Sequence, residues 1–201
     1  MKKIFLPLFL LSGLVTLAQT ETDFKKEITT AKTSYAANKL EETHFALQQA
    51  LSEIDITIGK EILKMLPAKM GDAAINPKDD HVTSNLGMVG ATVSRSYGTP
   101  NEKVKFELIS NSPLVTTLNA LLNNPMVGGM MRDENSKTIK VQGYKARMER
   151  QVGQVDGEFN YTIQLPFGNA LLTFTVNKTT ESEATKLMES LPLQAIAKLV
   201  Q

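Results

Sequence analysis

The chain has 201 residues, and its 22 Lys and Arg stand against 21 Asp and Glu for a formal net charge of +1. So even a balance excludes a nucleic-acid binder held by phosphate contacts, and it excludes a polyacid. Cysteine is absent, which excludes disulfides, thiolate metal sites and thiol redox chemistry.

Met1-Lys2-Lys3 gives a short positive start, and Ile4 to Val15 is apolar and uncharged. Thr16 and Ala18 put small residues at the −3 and −1 positions of a signal-peptidase site. The sequence therefore predicts a leader over residues 1–18, cleaved before Gln19, and a periplasmic or secreted working protein. The apolar run is shorter than the ~20 residues of a spanning helix. With no cysteine at the cleavage site, a lipoprotein anchor is not expected, and no transmembrane segment is expected after cleavage. Losing Lys2 and Lys3 takes the net charge from +1 to −1.

Asp23 to Ala37 carries Phe24, Ile28, Ala31 and Tyr35 at steps of four, three and four, one apolar stripe of a helix. A second run from Lys39 to Leu66 repeats the period, with a turn expected at Ala37-Asn38-Lys39. Pro67 cannot continue that helix. Residues 19–67 thus read as an antiparallel helical hairpin. Ala31 to Thr43, with Ala46 to Leu51, resembles a single tetratricopeptide-type unit, which implies helix-turn-helix packing. One copy cannot build a repeat array, since about three are needed to bury a continuous core.

Residues 68–80 are small and polar, with an Asn76-Pro77 turn signal, and read as a linker or loop. From residue 81 onward the period changes to two. Val82 with Met88 to Tyr97, Val104 to Leu108, Thr138 to Val141, Tyr144 to Met148, Phe159 to Leu165 and Ala170 to Val176 are strand signals. Their alternation predicts a curved antiparallel sheet of about five or six strands, apolar on one face. Helices are expected over Pro113 to Leu122, capped by Ser112, and after Thr180, which stands three residues before Glu183 at capping-box spacing. A last helical turn starts at Pro192. The expected fold class is α+β: the N-terminal helical hairpin, then the sheet domain over 81–201 covered by helices.

The chemistry-bearing residues are sparse. Only His44 and His81 are histidines. His44 has acidic neighbours and reads as solvated. Asp79-Asp80-His81 is too short a run to complete a metal site alone. No nucleophile elbow, Walker loop or dinucleotide glycine fingerprint occurs, so no catalytic residue, metal ligand or cofactor is expected. Pro125, Met126, Val127, Met130 and Met131 form a methionine- and glycine-rich run suited to an adaptable apolar contact. The alternative is that these side chains plug the open end of the sheet.

Two resemblances follow from the second half. Asn111-Ser112-Pro113-Leu114, Leu118-Asn119, Leu122, Asn124-Pro125-Met126, Gly143-Tyr144-Lys145-Ala146 and Leu193 to Ala197 resemble a family of exported bacterial proteins known as a domain of unknown function. The likeness covers roughly residues 60–200 and implies no catalytic assignment. The layout of strands and closing helix is also similar to Mog1/PsbP-like and lipoprotein-carrier-like α+β domains. The expected role is a non-enzymatic envelope binding module for a protein partner or an apolar small molecule or lipid, using the sheet face or the methionine-rich run. One alternative is a hydrolase or metal-dependent enzyme using His81. Another is an assembly role through the hairpin, which requires an apolar stripe on residues 24–58 that the sheet leaves exposed.

Overall fold

The computed structural model describes residues 15–85, 88–99, 104–124, 134–153 and 157–200, with side chains described from Asp23 onward and outside 85–89. The protein is α+β. Helices α1 (Val15–Ala36) and α2 (Leu40–Met65) form the expected hairpin. Asn38 takes a left-handed φ of 59° in the turn between them, which asparagine tolerates better than most residues. The Asn38 and Lys39 amides donate to the Tyr35 and Ser34 carbonyls and close the turn.

Two short strands follow, β1 (Lys69–Met70) and β2 (Ala73–Ala74), then a 3₁₀ turn at Pro77–Asp79. The segment expected as a linker is tied to the sheet: Met70 is buried, and the Asn76 amide donates to the Ser96 carbonyl. The main sheet contains β3 (His81–Asn85), β4 (Met88–Tyr97), β5 (Val104–Ile109), β6 (Ser136–Val141), β7 (Tyr144–Val152), β8 (Phe159–Phe167) and β9 (Ala170–Val176). Their order is β3-β4-β5-β9-β8-β7-β6, and every pair is antiparallel. The seven strands of this sheet among the described residues exceed the expected five or six, because Val82 belongs to a strand of its own.

Helix α3 (Leu114–Asn123) follows central β5 in the chain, and edge strand β6 comes next among the described strands. Ser112 does not cap α3. Its carbonyl accepts the Val115 amide, its own amide donates to Asn169, and Pro113 holds the capping position without a side-chain bond. Helix α4 (Glu181–Glu189) is capped as expected, with the Thr180 hydroxyl accepting the Glu183 amide at 3.3 Å. Helix α5 (Leu193–Val200) closes the chain.

Register sets the two faces apart. Arg95, Phe106, Phe174, Ile163 and Met148 stand side by side across β4, β5, β9, β8 and β7. That face, with Leu108, Leu165 and Leu172, is buried under α2, α4 and α5. The opposite face is polar: Ser94, Glu107, Thr173, Gln164 and Arg147 form one of its rows. Here α3 covers only one end, burying Val115, Leu118 and Leu122 against Leu171. The β6–β7 turn uses Gln142 and Gly143, both at positive φ, as a type I′ hairpin requires. The Gln142 side-chain amide donates to the Glu189 and Leu191 carbonyls, securing the end of α4.

Candidate functional site

The hairpin is rooted at one end and free at the other. At the root, an added Cβ on Gly59 would lie 2.4 Å from Val82 Cγ1. Only glycine lets α2 approach the sheet this closely. Asp55 accepts the Gly90 amide at 2.7 Å. Burial raises its pKa, and that hydrogen bond partly opposes the rise. Arg95 grips Asp80 through two bonds, Nε to Oδ1 at 2.9 Å and Nη2 to Oδ2 at 2.6 Å. Its Nη1 also donates to the Leu63 carbonyl at 2.8 Å, capping the last turn of α2. Asp80 holds the Arg95 pKa up, with burial opposing. Beside it, the buried Tyr97 hydroxyl has no hydrogen bond of ordinary geometry. Burial raises its pKa while Arg95 pulls it down.

Beyond the root, α1 and α2 meet through small side chains. Ala31, Ser34, Thr43, Ala46 and Ala50 are buried, which lets the helices pack closely. The large apolar residues are therefore turned outward. Tyr35 is 68% exposed, Leu40 61%, Leu47 45%, Leu51 47% and Ile54 41%. At 100° per residue, Leu40, Leu47, Leu51, Ile54 and Ile58 fall in one row on α2. Ile58 packs against the sheet core, so the row starts in the interior and runs out along the arm. Phe24, Ile28 and Tyr35 share a row on α1, and antiparallel packing turns it to the same side. Phe45, also exposed, falls off this row. Exposed large apolar side chains gathered in one row, rather than scattered singly, are uncommon on a monomer.

Two smaller concavities lie on the sheet. A groove of about 230 Å³ runs between α3 and the polar face, lined by Leu114, Leu118, Leu121 and Leu171 with Arg147 and Gln164. The Lys145 ammonium reaches Asn123 Oδ1 at 2.9 Å and holds the end of α3 over β7. A polar hollow of about 240 Å³ beside β6 contains Lys137, Arg150 and Glu181. Three of its charges are engaged: Lys137 pairs with Glu181 at 2.5 Å, and Arg150 donates to Asn135 and lies over the Phe159 ring.

The residues expected to bear chemistry are not brought together. His44 is exposed on α2 and His81 is exposed at the start of β3. Asp80 leaves its neighbour His81 to pair with Arg95. Among the described residues, no three His, Asp or Glu side chains gather where they could hold a metal ion. Pro125, Met126, Val127, Met130 and Met131 lie outside the described residues. The apolar face of the sheet is buried by helices, and the part of the sheet left open belongs to its polar face. Neither a protein-family model nor a curated protein matches the sequence. Among the described residues, no helix is long and apolar enough to cross a membrane.

Proposed function

We propose that this is an exported, non-enzymatic binding protein whose contact surface is the apolar face of the α1–α2 arm. The observation that carries this reading is the row Leu40, Leu47, Leu51 and Ile54, exposed on a helix whose root is locked to the sheet. Fully burying one such side chain is worth about 1.5–3 kcal/mol, so a partner that covers the row gains several such increments. The uncharged apolar run of residues 4–15, with Lys2 and Lys3 before it and small residues at Thr16 and Ala18, reads as a leader and supports a place in the cell envelope.

The test is the triple variant Leu47→Ser, Leu51→Ser, Ile54→Ser. Exposed substitutions away from the core stay within about 0.5 kcal/mol each, so the melting temperature should hold. Chemical cross-linking in the native host should lose the protein's adducts. A variant that keeps every adduct contradicts the reading, and a collapse in stability shows that the row belongs to the core.

A second reading attaches to the groove under α3, whose apolar walls and single guanidinium suit an apolar molecule with one acidic end. Its Arg147 is already held by Glu149 at 2.5 Å, which favours the arm as the main contact surface.

A further inference from the structure

We propose that the occupant of the arm's apolar face is a second copy of this chain, bound as an antiparallel four-helix arrangement. This rests on the arm being a contact surface and goes further by naming what covers it. Charge and register along the two helices favour this occupant.

The apolar rows have different borders. On α1, the outer border carries Lys25 and Lys32. On α2, it carries Glu41 and His44, all of them exposed. A two-fold axis parallel to the helices sets α1 of one copy against α2 of the other, with heights unchanged. The 36–40 turn fixes those heights, so Lys32 lies level with His44 of the other copy. Glu41 is then three residues away, ~4.5 Å along the axis and within reach of a lysine side chain. In the same register Tyr35 meets Leu40, Ile28 meets Leu47 and Leu51, and Phe24 meets Leu51 and Ile54. Each large side chain thus faces a large one across the interface, and every helix runs antiparallel to its neighbours, as in up-down bundles.

The other two-fold, perpendicular to the helices, fails on charge. It places α1 against α1 and α2 against α2, brings Lys32 towards Lys25, and takes Glu41 away from both lysines. Like charges facing each other penalise that arrangement. The area is sufficient for a modest interface. About sixteen residues of arm give ~24 Å of length and two helices give ~20 Å of width, so the pair buries ~1,000 Å² in total, near the lower bound for a specific interface. A reversible dimer is expected.

Sedimentation velocity of the purified protein over a concentration series tests this. The parent should pass from monomer to dimer. Lys32→Glu and Glu41→Lys should each weaken the dimer about tenfold, because each alters two symmetric contacts, and combining them should restore it to within about threefold. Leu51→Ser should weaken it irrespective of charge. A monomer at every concentration overturns the proposal. A double reversal no tighter than the singles overturns it as well. The contact-surface reading fails separately, when cross-linked adducts in the host persist after the triple serine substitution.

Discussion

Replacing Arg95 with alanine should lower the unfolding free energy by about 3 kcal/mol, the low end of the cost of stripping one partner from a buried ion pair, because Asp80 is only partly buried. Arg95 has a side-chain exposure of 10%, and that of Asp80 is 21%. The guanidinium satisfies both carboxylate oxygens and a carbonyl at the end of α2. Its removal strands a half-buried charge and frees the last turn of the helix that carries the arm. Lysine should not rescue it, because a single ammonium cannot reproduce a planar fork aimed at two acceptors. Arg95→Met with Asp80→Leu should recover most of the loss, since no charge is left unpaired, but the Leu63 carbonyl loses the guanidinium and keeps only the Leu66 amide. Urea denaturation reads all four proteins. A loss under ~1 kcal/mol for Arg95→Ala would mark the pair as an ordinary solvent-exposed bridge.

The second large effect is expected at Phe106. It is fully buried on β5, between Arg95 on β4 and Phe174 on β9. Phe106→Ala removes a ring from the middle of the row that α2 and the C-terminal helices cover, and should cost about 3–5 kcal/mol. Phe106→Leu preserves much of the volume and should cost less than ~1.5 kcal/mol. Because Phe106 and Arg95 are cross-strand neighbours, their losses should not add. A coupling above ~0.5 kcal/mol is expected in the double variant. Strict additivity would mean that the ion pair and the core beside it respond independently.

Much of this architecture was readable before folding. Asn38 marked the hairpin turn, Pro67 bounded α2, and Thr180 with Glu183 marked the start of α4. The alternation of Phe159, Tyr161, Ile163 and Leu165 marked a half-buried strand. Other features were hidden for physical reasons. β3 carries His81, Thr83 and Asn85 among its five residues, too few apolar positions to show alternation. Ser112 has the right residue type to cap α3, but its backbone is drawn to Asn169 and the helix begins one step later. Asp80 looked like part of an Asp-Asp-His group, yet its partner is Arg95 on the next strand, and no local pattern signals that pairing.

The candidate site was the least legible part. Leu40, Leu47, Leu51 and Ile54 carry the same 3.6-residue period as a core-facing stripe. Periodicity reports that a helix has an apolar face, not what covers it. The sign that could have separated the cases is the second period on α2, Thr43, Ala46 and Ala50, which matches Ala31 and Ser34 on α1. Small residues on both helices specify a close seam, and that leaves the large residues of the other row exposed among the described residues.

The proposed contact role of this row can be tested directly at one position. A photo-reactive benzophenone side chain placed at Leu51 in the native host should give a discrete cross-linked product on irradiation, while the same group at exposed Lys186 on α4 should give none. A product at twice the chain's mass would mark a second copy, and another mass a different protein. Position 51 yielding no more product than position 186 would contradict the account.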